Sequence, residues 1–164
     1  MPQLLMIPSW DRLHPMIIHF PIVLFVLAPL FLLFAAFTRT DRRSMVLCSA
    51  LILMVLATIS LYLAFETGGT AGTLIKRRAE ITTVVEHHQE FANLSRSSFT
   101  VATALLGMVL LIRRVLHLHT HELTAVLPLG FVAFYGLGLF WLVHTAYNGE
   151  RLVHEFGVKG VIAP

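Results

Sequence analysis

Four long apolar blocks govern what this chain can fold into. Met16 to Phe37 is almost wholly hydrocarbon and aromatic, Met45 to Phe65 carries no charge, and Leu123 to Ala146 holds one ionisable residue, His144. Each matches the roughly 20 apolar residues that one helix needs to cross a bilayer. Phe99 to Ile112 is shorter. It reaches spanning length as part of one long helix that starts near Ala79 and whose first turns project from the membrane. No strand pattern competes, and in hydrocarbon only helices and closed barrels satisfy the backbone. The expected fold class is therefore all-α, a transmembrane four-helix bundle. Its helices are expected over about 15–37, 44–66, 79–116 and 122–147, in a single integral membrane domain covering 1–164.

Composition removes several function classes. The chain is 57% hydrophobic and 13% charged, against about 25% charged residues in a soluble domain. That excludes a disordered chain and argues against a soluble globule. The one cysteine, Cys48, excludes a disulfide framework and a cysteine-based zinc or iron–sulfur site. It lies in an apolar run and reads as an inert core thiol. Twelve Lys and Arg are scattered between apolar blocks, which does not suit a nucleic-acid partner. There is no dinucleotide fingerprint, no P-loop and no nucleophile elbow. Thr67-Gly68-Gly69-Thr70-Ala71-Gly72 reads as a helix C-cap and turn. Ser49 and Ser60 are lone serines in an apolar helix, expected to bond to the backbone.

Charge sets the expected topology. The first fifteen residues lack a cleavable-signal pattern, so the first helix is expected to act as an uncleaved insertion signal. Pro15 suits a first helical position, whereas Pro21 and Pro29 lie within the block. Loops one and three carry Arg39, Arg42, Arg43, Arg113 and Arg114 against Asp41 and Glu122, a net +3, while the opposite side sums to zero. By the positive-inside rule loops one and three face the cytoplasm and both termini face the periplasm.

Nine histidines stand out in so apolar a chain. His14, His19, His87, His88, His144 and His154 fall at one end of the expected bundle, whereas His117, His119 and His121 share the opposite loop. Ionisable groups near a membrane interior usually mark function. Histidines from different helices can ligate a haem iron axially, or hold zinc, copper or iron. The apolar surroundings and lack of cysteine favour haem. Phe20, Phe91, Phe99, Phe140 and Trp141 are available to pack on a porphyrin, and Arg96 to pair with a propionate. His88 shares a helical face with Ala92, Ser95, Phe99 and Ala102. The blander readings are interface residues for His14 and His154, a solvated helix extension for His87 and His88, and a wet loop for His117, His119 and His121.

His14-Pro15-Met16-Ile17-Ile18-His19-Phe20-Pro21 resembles the His-Pro-x-x-x-His-Phe-Pro start of a family of four-helix bacterial membrane proteins described only as a domain of unknown function. Glu66-Thr67-Gly68 and His87-His88-Gln89-Glu90-Phe91 resemble its second and third motifs. The stretch His144 to His154 is similar to its Gly-His-Leu-Gly-Gly-x-Leu-x-His ending, with Val143 in place of the first glycine and Tyr147-Asn148-Gly149 departing from the glycine pair. Relatives of this kind are sometimes fused to Rieske or cytochrome c domains. The resemblance thus implies a redox setting.

The expected function is a non-catalytic, haem b-binding electron-transfer subunit in a bacterial inner membrane, carrying one or two haems. It would work among other membrane redox subunits, with a quinone or cytochrome c as candidate partner. His19, His88 and His144 are the expected haem or metal ligands, and His14, His87, His154 and Arg96 are further cofactor-binding candidates. The alternatives are a copper, zinc or iron binding or transport protein using the same histidines, and a structural subunit of a membrane complex.

Overall fold

The computed structural model describes residue 14 and residues 16–75, 79–116 and 125–157. The apolar blocks form four helices: α1 (His19–Phe37), α2 (Thr40–Ile75), α3 (Ala79–Val115) and α4 (Val126–His154). No strand occurs among the described residues, so the all-α fold class is as expected. One turn leads into α1, closed by the Ile18 N–H donating to the His14 carbonyl at 3.0 Å. All four helices are long and apolar enough to cross a bilayer. Pro15, His117, His119 and His121 lie outside the described residues.

Alternate steps of three and four residues organise the core. On α1 the buried stripe is Pro21, Phe25, Ala28, Leu32 and Ala35; on α2 it is Leu47, Ala50, Met54, Ala57, Leu61 and Ala64. Such a seam lets antiparallel helices interdigitate at a shallow crossing angle. The alanines let the backbones approach closely, the usual basis of helix association in lipid. The matching stripe on α3 runs through Ile81, Val85, Ser95, Phe99, Ala102 and Leu106, so the face expected for His88 is the core face. At mid-bundle Phe25 stacks on Phe99 with ring centroids 3.7 Å apart, and Tyr135 tilts against Phe99 at 5.0 Å. This trio ties α1, α3 and α4 together.

The α1–α2 turn is closed by one side chain. Arg43 donates from Nε to the Ala35 carbonyl at 3.0 Å and from Nη2 to the Thr38 carbonyl at 3.0 Å and the Ala36 carbonyl at 3.4 Å. It thus satisfies carbonyls that the last turn of α1 leaves open. Ser49 and Ser60 donate to the Met45 and Leu56 carbonyls, as expected. Cys48 is exposed on the outside of α2 rather than in the core. The seam positions are Leu47 and Ala50, and Cys48 falls between them on the lipid side.

Two helices are longer than their apolar blocks. At about 1.5 Å per residue, α2 and α3 each extend roughly 55 Å, against about 30 Å of hydrocarbon. Arg39 to Arg43 and Arg113-Arg114 mark one boundary, so the surplus projects from the histidine-rich end. The turn expected at Thr67 to Gly72 is instead helix, and α2 continues to Ile75. Glycine stops a helix when it turns left-handed, yet the described glycine with positive φ is Gly157, after α4. Gly68, on which the His14 ring packs, and its neighbour Gly69, which no side chain approaches, both stay helical. Likewise α4 runs to His154 rather than stopping near residue 147. Asn148, Leu152 and Thr145 are buried against the projecting part of α3 and extend the seam beyond the apolar block.

Candidate functional site

The seam continues into the projecting end, but with histidine in place of aliphatic residues. His14 lies seven residues before Pro21 and Gly68 seven after Leu61, so they face each other across α1 and α2. A Cβ on Gly68 would lie 2.7 Å from His14 Cε1. On the other pair of helices, a Cβ on Gly149 would lie 3.2 Å from His88 Cε1. Each imidazole therefore packs closely on a glycine, tightly enough at Gly68 that a Cβ there would force a shift.

Both rings are held alike. His14 Nδ1–H donates to the Ala64 carbonyl at 2.8 Å, with Thr67 Oγ1 3.2 Å from the same nitrogen. His88 Nδ1–H donates across the helix interface to the Thr145 carbonyl at 2.8 Å. A carbonyl can only accept, so in each neutral ring the proton is on Nδ1 and Nε2 keeps its lone pair. Thr67 is fully enclosed and its hydroxyl donates back to the Leu63 and Ala64 carbonyls at 3.1 and 3.0 Å. Burial pushes His14 below its ordinary value of 6.5, and the bond to Ala64 offsets this in part. The ring is thereby kept neutral at physiological pH.

The other candidates are arranged differently. His19 is exposed on α1. His144 donates from Nδ1 to the Phe140 carbonyl of its own helix at 3.0 Å, and its ring leans on Phe140 and Phe91 at 4.3 and 5.2 Å. The histidine at the α1–α2 seam is His14, which bonds the Ala64 carbonyl, whereas His19 is exposed. His87 is exposed, stacked on Phe91 at 6.3 Å and 3.7 Å from the Glu90 carboxylate. His154 is exposed in the last turn of α4. Arg96 lies with its guanidinium 4.0 Å above the Phe65 ring and bonds Asn93 Oδ1 at 3.0 Å. Of the aromatic set, Phe91, Phe140 and Trp141 do cluster, with Phe91 stacked on Trp141 at 5.8 Å. Phe99 belongs to the mid-bundle trio and Phe20 is exposed. Among the described residues no group of three His, Cys, Asp or Glu is close enough to hold a metal ion.

Sequence reasoning missed Thr67, Gly68, Thr145 and Gly149. The signal for the glycines was the seam itself. Extending the three-and-four spacing outward from Leu61 and Leu142 arrives at Gly68 and Gly149.

A membrane-spanning four-helix bundle, with a two-histidine seam at its projecting end, is the class of protein that these features define. The chain belongs to the family of predicted membrane proteins DUF2231, whose sequence model matches residues 11–161. That is the kind of family the His-Pro start resembled. No curated protein and no solved structure matches the chain.

Proposed function

We propose that this membrane protein is a haem b-binding electron-transfer subunit, in which His14 and His88 would hold the haem iron. The observation that supports this reading is the common posture of the two rings. Each gives Nδ1–H to a main-chain carbonyl and keeps Nε2 as a bare acceptor. Ligating histidines are usually oriented by such a bond from their second nitrogen. A haem iron asks the protein for two axial ligands, whereas a structural zinc takes four. Two imidazoles without a third ligand nearby therefore suit haem better than a bare ion. When bound, the haem would supply one-electron chemistry. This chain's part is to hold the two nitrogens, to keep His14 neutral, and to offer apolar ring surface from Phe91, Phe140 and Trp141. Arg96 is the candidate partner for a propionate. His19, His87, His144 and His154 remain candidates only for a second haem.

Several further proposals attach to this reading. The membrane is a bacterial inner membrane, with the histidine end and both termini periplasmic by the positive-inside rule. Donor and acceptor are other redox subunits, with quinone or cytochrome c among them. The deciding experiment is a reduced-minus-oxidised spectrum with a pyridine haemochrome assay on the detergent-purified protein. The wild type should show a low-spin haem b signal, His14→Ala and His88→Ala should each lose most of it, and His19→Ala should keep it. A haem-free wild type, or full haem in both ligand variants, refutes the assignment. Copper or zinc in a haem-free preparation would favour the metal-binding alternative.

A further inference from the structure

The two halves of the bundle follow one pattern. On α1 and the turn leading into it, the seam runs through His14, Pro21, Phe25, Ala28 and Leu32. Seventy-four positions after each comes a seam residue of α3: His88, Ser95, Phe99, Ala102 and Leu106. On α2 the seam runs through Met54, Ala57, Leu61, Ala64, Thr67 and Gly68. Eighty-one positions after each comes its counterpart on α4: Tyr135, Gly138, Leu142, Thr145, Asn148 and Gly149. An apolar seam alone would match at several shifts, because its three-and-four spacing recurs every two turns or so. The polar bonds select this one. His14 donates to the Ala64 carbonyl and His88 to the Thr145 carbonyl, both at 2.8 Å. Thr67 Oγ1 donates to the Leu63 carbonyl and Asn148 Nδ2 to the His144 carbonyl, four residues back in each case. All of these partners obey the same two displacements. At mid-bundle the counterparts Phe25 and Phe99 stack on each other.

The two displacements differ by seven residues, about two helical turns. The surplus falls at the end away from the histidines, where the connection from Val115 to Val126 is longer than that from Phe37 to Thr40. Two whole turns leave the seam facing the same way. Helices also pack more extensively within each half than between halves. Both halves start at the histidine end, run inward and return. They therefore share one orientation across the bilayer and are related by rotation about an axis along the bundle, the arrangement of parallel membrane repeats. Each half supplies one seam imidazole with a bare Nε2. The polar side chain beside it is already bonded to a carbonyl of its own helix, so neither half offers a second nitrogen at the seam.

We infer that this chain is a tandem repeat of one helical hairpin, α1–α2 and α3–α4, and that its ligand site is one site shared by both repeats, each giving the equivalent histidine. That the ligand is haem rests on the reading above; the repeat does not. The repeat is tested in the full chain by two exchanges that keep its composition. Thr67→Asn/Asn148→Thr swaps counterparts, whereas Ala64→Asn/Asn148→Ala swaps positions that are not counterparts. In SDS mixed micelles the first should change the unfolding constant by less than about tenfold, because core volume and bonding capacity stay matched at each site. The second should cost about a hundredfold, because it crowds Ala64 and leaves a buried amide without its bond. A counterpart swap that costs as much as the mismatched one, or more, overturns the repeat. The shared site is tested by titrating haemin into the full chain. His14→Ala and His88→Ala should weaken binding by the same factor, and the double variant should bind no better than either. Weakening in one single variant but not the other overturns the shared site. Weakening in neither, or a wild type that takes up no haemin, refutes the haem reading and the shared site together, while the exchange pair still decides the repeat.

Discussion

Replacing Gly68 by alanine separates helix propensity from the packing of His14. In an unpacked helix the change stabilises by about 1 kcal/mol, because glycine loses more backbone entropy. At Gly68 the new methyl would stand 2.7 Å from His14 Cε1, 3.1 Å from Nδ1 and 3.3 Å from Nε2. Real Cβ atoms essentially never come so close, so the ring must shift. A shift of the ring strains or breaks the 2.8 Å bond to Ala64 and the contact with Thr67. Losing a buried hydrogen bond costs about 1–3 kcal/mol, which cancels or outweighs the propensity gain. The adjacent Gly69 is the internal control, because a Cβ there meets nothing within 4 Å. Gly69→Ala should therefore stabilise by about 1 kcal/mol, and Gly68→Ala should fall about 1–3 kcal/mol below it. Reversible SDS unfolding in mixed micelles, followed by far-ultraviolet circular dichroism, gives both numbers. The Cε1–H resonance of His14 reports whether the ring moved. Equal stability of the two variants, with an unmoved His14 resonance, would refute the packing argument. Gly149→Ala is the milder version, because its methyl would meet His88 at 3.2 Å.

Three other outcomes follow from the same geometry. His14 binds its proton less tightly folded than unfolded, so the unfolded chain binds more protons at mildly acid pH. Stability should be flat above about pH 6.5, the ordinary value, and should fall as pH drops below it until the folded ring is itself protonated. His14→Gln should flatten that part of the unfolding profile; an unaltered slope argues against a buried neutral ring. Arg43→Ala should destabilise by about 1.5–3 kcal/mol, the range for hydrogen bonds to a charged group, whereas Arg42→Ala, on an exposed neighbour, should shift SDS unfolding little. Tyr135→Phe should leave stability unchanged or raise it, because the Tyr135 hydroxyl is buried without a hydrogen-bond partner and its removal relieves desolvation. A loss above about 1 kcal/mol would show that the hydroxyl holds a partner such as a buried water.

The helices were legible because hydrocarbon leaves the backbone so few choices. Four apolar blocks long enough to span, without strand alternation, admit a helical bundle and little else. The clustering of His14, His88 and His144 at one end was legible too, because antiparallel helices in sequence place alternate ends together. Their individual roles were not. Depth along a helix is set by residue count, and it put His19 among the expected ligands with His88 and His144. Direction around a helix depends on which face packs, and packing is fixed by the whole seam from Phe25 to Ala64.

Sequence composition alone therefore determined that this is a membrane-spanning four-helix protein with its histidines gathered at one end. Tertiary structure alone decided which histidines turn inward. His14 and His88 do so because each occupies a seam position opposite a glycine, Gly68 or Gly149, where a ring can lie against bare backbone and reach a carbonyl. His19 and His144 lie off that seam by a fraction of a turn. Gly68 looks like part of a helix stop when read locally. The contact that needs a glycine there comes from a residue more than fifty positions away in the chain, which no local reading shows.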